Sequence, residues 1–570
     1  MYFFRFLLAA FLFLPVGIVA QNRYDVVIDE IMADPTPQVG LPNNEWLELK
    51  NTSSVTINLQ NWRIGDATSQ SGPMPNFLLR PDSLVIVCTG SAVAAMFAFG
   101  TTISVTSFPS LDNDGDRIFL KAASGTIIHA VNYTSGWYQN ELKKDGGWSL
   151  EMIDTKSPCA GSNNWKASVN PAGGTPGKKN SIDAVNNDTA LPRLINAFTT
   201  DNVTIVLVFN EPLDSLKGAT ITNYNIDGGL TIINAVTLSP LFDQVQLKVN
   251  TPLSANTIYT ITAINVTDCK GNIIGSANKA RVGVPVDAAS GELIINEILF
   301  NPRPNAFDYV EFYNKSNKIF DAAKLYVANR NSSGVISSIK VLSAVPSYIF
   351  PGDYIVITED AANLAVNYLV KNPDNVLVIS SLPSFSDDEG DVIVLNFQGQ
   401  VTDEVKYKDD WHFKLIANDE GVSLERIDPD GLSQNQNNWH SAASTAGYGT
   451  PTYKNSQYKQ PPGINATIEV TPKVFSPDND GHDDIATLQY KVGEPGYVAN
   501  ITIFDGMGRP VRYLVQNGIL GNSGYWNWDG LDDKGRKLPV GTYVIFSEIF
   551  NLQGKKESFK NVVVLARKLN

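Results

Sequence analysis

Histidine is nearly missing from this chain. There are four in 570 residues, His129, His412, His440 and His482. They stand far apart and form no HExxH pair, and neither a GxSxG elbow nor a P-loop occurs, so the common metalloprotease, serine-hydrolase and nucleotide-binding chemistries find no support. Cysteine is as scarce. Cys88, Cys159 and Cys269 exclude a disulfide scaffold, leave room for at most one bridge and contain no CxxC metal pair. Cys88 closes the apolar run SLVIVC and is expected to be a buried small hydrophobe. Positive charge is also short. Lys and Arg number 44 against 58 Asp and Glu, a formal net charge of -14, which argues against a nucleic-acid partner, since phosphate binding depends on Lys and Arg displacing counterions. Long apolar runs are confined to the start.

That start, MYFFRFLLAAFLFLPVGIVAQN, places Arg5 ahead of the run Phe6 to Leu14, then Pro15, Gly17 and Ala20. It predicts a secretory signal over residues 1–20 with cleavage before Gln21, the alternative being a retained membrane anchor. No Cys stands at the cleavage point to carry a lipid. The mature chain is thus expected to hold no transmembrane segment. A hydrophobic fraction of 43% and a charged fraction of 18% are those of a globular protein. Its length predicts three to five folding units.

What is present in quantity is repetition. VVIDEIMADPTP (Val26 to Pro37) returns as LIINEILFNPRP (Leu293 to Pro304), and NEWLELKN returns as FDYVEFYN, matching Glu45, Trp46 and Glu48 to Asp308, Tyr309 and Glu311. GWSLEMID pairs with GVSLERID, and NNWKASVNPAGGTPGKKNS with NNWHSAASTAGYGTPTYKNS. Glu30 and Glu297 are 267 residues apart, Trp165 and Trp439 274, so the copies keep register along their whole length. Each is built of short Val, Ile, Leu, Phe and Tyr runs broken by Gly, Pro, Asn and Asp, the punctuation of β-strands and turns. EWLELKN and DYVEFYN alternate as a strand with one face on a core and one in water. SAVAAMFAFG and AANLAVNY read as the only helical turns.

These motifs carry a resemblance. The opening IDEI or INEI, EWLEL, SLERI and the closing GTPG with its Asn resemble the lamin-tail domain, an immunoglobulin-like β-sandwich. The resemblance implies adhesive or spacing modules at a bacterial surface and brings no catalytic residues with it. Between the copies, VFNEPLD (Val208 to Asp214) and YTITAINVTDCKGN (Tyr259 to Asn272) are similar to Ig-like modules of surface-layer and adhesin proteins, with Asp268, Gly271 and Asn272 read as a turn. The last segment, from FSPDNDGHDD through IFDGMGR and WDGLDDKGRKLPVGTY to VVVLAR, resembles the Ig-like domain of flagellar hook-capping proteins and the C-terminal β-domains of type nine secretion substrates. That resemblance implies an export signal, although Asp478 and Asn479 stand where the pattern has Asn and Gly. The expected architecture is all-β, four tandem immunoglobulin-like sandwiches after the signal peptide: 21–182, 188–286, 290–457 and 466–570.

Candidate site residues are few. In FSPDNDGHDD, Ser476, Asp478, Asp480 and Gly481 fall at positions 1, 3, 5 and 6 of a calcium loop and Asp484 at position 9. Position 12 is Thr487 in place of the bidentate Glu, so an EF-hand is excluded; a weak calcium site and a plain turn both remain, and calcium is the one cofactor the sequence admits. SLDNDGDRI repeats the spacing with Ser110, Asp112, Asp114 and Gly115, but Ile118 in ninth place points to a hairpin turn. FSDDEGD puts Phe385 first. Glu30, Glu48, Glu297 and Glu311 read either as a polar or metal-binding face or, as expected, as strand residues facing water. Trp46, Trp137, Trp165, Trp411 and Trp439 read either as glycan platforms or, as expected, as core. No catalytic set emerges. The sequence predicts a non-enzymatic protein displayed at or released from a bacterial cell surface, with a protein or glycan partner, or alternatively an accessory subunit of an outer-membrane complex.

Overall fold

The short β-branched and aromatic runs become strands throughout. In the computed structural model, which describes residues 21–416, 418–461, 463 and 465–567, strand accounts for 39% of the chain and helix for 8%. The expected signal peptide, residues 1–20, lies outside the described residues. Among the described residues no helix is long and apolar enough to cross a membrane. Two compact units divide the chain, one running to Pro252 and including Tyr259–Arg281, the other comprising Leu253–Ile258 and everything from Val282 on.

In the first unit, a six-stranded sheet runs in the order Trp165–Ala167, Leu150–Met152, Val26–Met32, Trp46–Asn51, Leu84–Thr89, Thr102–Val105. Only the last pair is parallel. It faces a three-stranded sheet of Arg63–Gly65, Gly115–Lys121 and Ile127–Thr134. Between them lies one core that includes Val27, Leu47, Leu49, Trp62, Ile118 and Trp165. Burial of such side chains is the main term holding a sandwich closed. The next sandwich sets Leu194–Thr199, Thr204–Phe209, Gln244–Val249 and Ile232–Leu238 against Tyr224–Ile226, Tyr259–Ala263 and Lys279–Val282. Cys159 of the first sandwich is bonded to Cys269 of the second, 110 residues on, while Cys88 is free and buried as expected.

The second unit repeats the first plan. Val376–Val378, Tyr354–Thr358, Tyr309–Asn314, Leu293–Leu299, Leu424–Arg426 and Trp439–Ser441 form the six-stranded sheet, opposed by Ile336–Val341, Leu325–Arg330, Glu389–Asn396 and Val401–Lys408. The last sandwich has five strands, Val474–Phe475, Lys556–Leu565, Gly541–Asn551, Tyr497–Phe504 and Pro510–Ile519, over three, Thr467–Thr471, Ala486–Lys491 and Ser523–Trp528. The rings of Phe475, Trp528 and Tyr543 meet in its core at centroid distances of 5.1 and 5.3 Å.

Two local expectations need correction. The sequence allowed two helical turns, and Val93–Met96 and Ala361–Asn367 are helical, but so is Ser215–Gly218; there Asp214 caps the first turn, accepting the Leu216 and Lys217 N–H groups at 2.9 and 2.8 Å. SLDNDGDRI is not a hairpin turn. Asp112 to Gly115 is the turn that feeds the strand Gly115–Lys121, and Ile118 is that strand's core residue.

Candidate functional site

The strand EWLELKN does not have a wet face. Leu47 and Leu49 pack into the main core, but on the other face Trp46 joins Met32, Ile86, Cys88 and Met96 in a second cluster beneath the helix Val93–Met96. Glu48 lies there too, 0% exposed, as do Glu30 and Glu151. The expectation of water-facing carboxylates therefore fails at Glu30 and Glu48, and likewise at Glu297 and Glu311, which with Glu425 are also 0% exposed. The physical reason is coverage from far along the chain. Segments that follow the strands carrying these four glutamates by more than a hundred residues fold back over them and supply the hydrogen bonds that burial requires.

Register brings the carboxylates together. Glu30 is the cross-strand partner of both Glu48 and Glu151, and Glu297 of both Glu311 and Glu425. Each triad is thus a ladder of three glutamates across three adjacent antiparallel strands. A bulge precedes the central one in both copies, between Ile28 and Glu30 and between Ile295 and Glu297. The N–H freed there is also answered in both. Ile28 donates to His129 Nδ1 at 2.9 Å and Ile295 to Asp403 Oδ2 at 2.9 Å. His129 is held neutral, its pKa lowered to about 3 chiefly by burial.

Like charges side by side in a sheet repel. What holds them is the closing segment. In the first copy the Thr175 N–H and Ser149 Oγ donate to Glu30 Oε1 at 2.7 and 2.6 Å, Thr175 Oγ1 and Ser181 Oγ to Glu151 at 2.8 Å each, and the Gly177 N–H to Glu48 Oε2 at 2.5 Å. In the second copy the Thr450 N–H and Tyr309 hydroxyl donate to Glu297 Oε1 at 2.8 and 2.6 Å, the Thr452 N–H to Glu311 Oε2 at 2.6 Å, and Ser456 Oγ and the Gln457 N–H to Glu425 Oε2 at 2.8 and 2.7 Å. Asn180 and Asn455 fasten the same segment to main-chain carbonyls of two ladder strands. Aiming the N–H of Gly177 and Thr452 at a glutamate takes a left-handed backbone, with φ of 75° and 72°. A Cβ on Gly177 would come within 2.5 Å of the Phe99 carbonyl oxygen, while Thr452 is braced by Asn372, whose N–H donates to its Oγ1 at 2.9 Å.

Protons take up the remaining charge. Thr450 Oγ1 lies 2.8 Å from Glu297 Oε2 and 2.9 Å from Glu425 Oε1. A hydroxyl carries one proton, so one of these carboxyls must bring its own. Glu297 takes three donors on Oε1, and burial raises it as well as Glu425, so the extra proton is shared between the two. Burial, then the field of Glu297, pushes Glu425 up to about 8; burial and then Glu151 do the same to Glu30, also to about 8. Glu48 and Glu311 are raised well above the carboxylate range, again first by burial. The triads resemble paired catalytic carboxylates in chemistry, but they are sealed from solvent and bonded into the fold.

The sequence singled out four of these six glutamates. Glu151 and Glu425 were missed, as were their partners Thr175, Thr450, Asn180 and Asn455. Their signal was in view, since SLE and GTP with a following Asn-Ser recur in both copies.

The tryptophans are core, as expected. Trp46, Trp165 and Trp439 are at most 3% exposed. Trp137 and Trp411 pack at the core edges and pair with Trp165 and Trp439 at 6.3 and 6.4 Å, so the pair itself is duplicated. In the C-terminal loop, Asp478, Asp480 and Asp484 do converge, one oxygen from each within 4.8 Å of the others. Asp484 organises the loop. Its Oδ1 accepts the Asp478 and Asn479 N–H groups at 3.1 and 2.6 Å and its Oδ2 that of Gly481 at 2.9 Å; those amides, Gly481 first, hold its carboxyl below the usual range. Ser476 contributes through its backbone, donating to the Asp483 carbonyl and accepting from Asp478 N–H, each at 2.8 Å. Asp268 closes the turn assigned to it, accepting from the Lys270 and Asn272 N–H groups at 2.8 and 2.9 Å, with Gly271 at φ 89°.

Fold and site together define a tandem β-sandwich protein with one module used twice, each copy locked by a buried carboxylate ladder. Residues 20–135 and 287–409 match the model of the Lamin Tail Domain family, and the chain carries two lamin tail domains. In both, the third ladder strand and the closing segment lie beyond the matched residues. Among solved structures, the N-terminal part of the bacterial S-layer protein SbsC is 14% identical, with 29% of this chain and 40% of that chain covered at a TM-score of 0.16. A DUF4876 family protein from Bacteroides thetaiotaomicron is 12% identical, covering 44% and 90% at 0.18. PorZ, a surface component of the type-IX secretion system of Porphyromonas gingivalis, is 11% identical, covering 91% and 69% at 0.17. The chain spans well under half of the SbsC fragment, and at these TM-scores the likenesses carry no weight for function. No curated protein matches the chain.

Proposed function

We propose that this is an exported, non-enzymatic protein whose four sandwiches, with the boundaries expected from the sequence, space and present contact surfaces at a bacterial cell surface. The observation that carries this reading is that the chain's densest acid chemistry, the two glutamate ladders, is used up inside the modules that bear it. A catalytic pair must meet substrate and exchange protons with it; these carboxyls are buried among the strands and closing segments of their own modules. The histidines fit the same reading, since His129 and His412 are buried and depressed to about 3 and 4, first by desolvation. The last sandwich is the export and attachment module in this account, on its resemblance to secretion-substrate domains.

The test is where the mature protein resides and with what. Fractionation should find it in the outer-membrane or extracellular fraction, with cleavage before Gln21. A pull-down from solubilised outer membranes that yields a stoichiometric protein partner favours the accessory-subunit reading over general display. Recovery of the full chain in the cytoplasm, or turnover of a nuclease, phosphatase or glycan panel by the purified protein, overturns the proposal.

A further inference from the structure

The first two sandwiches, which belong to one compact unit, leave a cleft where they meet. Its volume is about 330 Å³, at the lower end of the range of small-ligand sites. Trp137, Cys159 and Ser162 line it from the first sandwich, and Asn210, Glu211 and Asp243 from the second. The walls are fixed to each other. Cys159 is bonded to Cys269 of the second sandwich, and the loop that carries Glu211 is held from both sides: Arg23 of the first sandwich donates to the Leu213 carbonyl at 3.0 Å, and the Asp214 N–H to the Thr267 carbonyl, just before Cys269, at 2.8 Å. A cleft braced in this way is preorganised for whatever it takes.

The lining has carboxyls and no base: among the described residues that form it, none is Lys, Arg or His. Glu211 is 8% exposed, and its Oε1 is buried with no hydrogen-bond partner. Burial first, then the fields of Asp188 and Asp268, push it up to about 7, against one hydrogen bond from the Asn210 side chain. Burial raises Asp243 as well, against its own main-chain amide and the field of Arg117. A carboxyl in a cleft that lacks a partner is completed by a donor brought in from outside, and a cationic donor also offsets the cost of charge there. A quaternary ammonium has no N–H to give, so the group that fits is a primary ammonium. The rest of the lining suits a sugar ring. Trp137 is half-buried and offers an apolar face beside a polar edge, while Asn132, Ser162 and Asn210 are exposed and carry the amides and hydroxyl that pair with ring hydroxyls.

We propose that the cleft between the first two sandwiches binds an amino sugar with a free ammonium group, the ammonium at the acidic wall of Glu211 and Asp243 and the ring face on Trp137. The site gives the surface-display reading a ligand class. Binding is measured on the purified chain, so it stands or falls separately from where the protein resides.

Calorimetric titration of the mature chain with glucosamine should find one site per chain, with a dissociation constant on the order of 1 mM for a ligand of this size. N-acetylglucosamine and glucose keep the ring and lack the charge, and Nα-acetyl-lysine amide keeps the charge and lacks the ring; each should bind at least about tenfold more weakly. Glu211→Gln should abolish the preference for glucosamine over N-acetylglucosamine, and Trp137→Ala should weaken both. Absence of saturable glucosamine binding at about 10 mM overturns the proposal. Equal binding of N-acetylglucosamine overturns it too, because the charge is then not read, and so does equal binding of the lysine amide, which makes the cleft a receptor for a protein side chain. Should the variants fail to fold, the unmodified chain decides: saturating glucosamine, and not glucose, slows reduction of the Cys159–Cys269 bridge, whose Cys159 lines the cleft. Reduction indifferent to glucosamine puts any binding elsewhere and the site is wrong.

Discussion

Asp29 and Asn296 occupy the same place in the two copies, and the one-atom difference between them sets the chemistry of the ladders apart. Asn296 Nδ2 donates to Glu311 Oε1 at 2.8 Å and to Asn455 Oδ1 at 2.6 Å. Asp29 has no such hydrogen. Its Oδ1 and the Oε1 of Glu48 are both buried without a partner, and burial pushes Asp29 up to about 7. The sign of the consequence follows from linkage. A carboxyl whose folded pKa exceeds its unfolded value near 4 binds a proton that the unfolded chain has lost, so its contribution is full below about pH 4 and drains away as pH rises through about 7 to 8. Thermal unfolding of the first lamin tail domain should therefore move to lower temperature between about pH 5 and pH 8. Asp29→Asn should flatten that slope and add about 1 kcal/mol at the alkaline end by giving Glu48 a donor. A variant less stable than the parent at pH 8 would show that Asp29 has a partner of another kind.

At the level of elements, the strand and its distant cover are separately legible but not jointly. IDEI, EWLEL, SLE and GTP with its Asn repeat visibly, and alternation correctly assigns Leu47 and Leu49 to one face. Alternation has no information on whether a segment more than a hundred residues later will lie on the other face, so Glu48 and Glu30 read as wet when they are dry. The acidic loop Ser476 to Asp484 was legible in part. Its spacing did bring three carboxylates together, but the residue that shapes it is the ninth-position Asp484, used as a cap for backbone amides. Such a cap and a weak ion site can share a loop. Asp484→Ala should lower the unfolding midpoint of the last sandwich without any metal. Millimolar calcium should raise the midpoint of the parent, because only the folded loop gathers the ligands, and should not raise that of Asp480→Ala. No calcium shift in the parent removes the ion from this loop and leaves the cap.

For the whole molecule, stability rests on packed cores with a single covalent exception. Cys159 and Cys269 enclose most of the second sandwich in a loop, and a bridge across so long a stretch contributes about 2–5 kcal/mol. Thiol titration gives a clear pattern: no reactive thiol in the folded protein, one after unfolding without reductant, and three with it, since Cys88 is buried and burial lifts its pKa to about 11. A second thiol before reduction would mean that the bridge is partly open. Cys159→Ser together with Cys269→Ser should lower the stability of the first unit by the amount just given.

The same bridge has a mechanical side. If the two ends of the chain were held at different anchors, tension would run along the backbone to Cys159, cross the sulfurs and continue from Cys269, bypassing the residues between. Those residues could unravel only after the bond was reduced, and they amount to about 370 Å of extended chain at the backbone's maximum reach per residue. The part of the second sandwich between the two cysteines is in effect taken out of the load path, so its strands can unfold by heat but not by pulling, while the strand Lys279–Val282, beyond Cys269, stays in it; the oxidation state of one cystine sets how far the molecule can stretch.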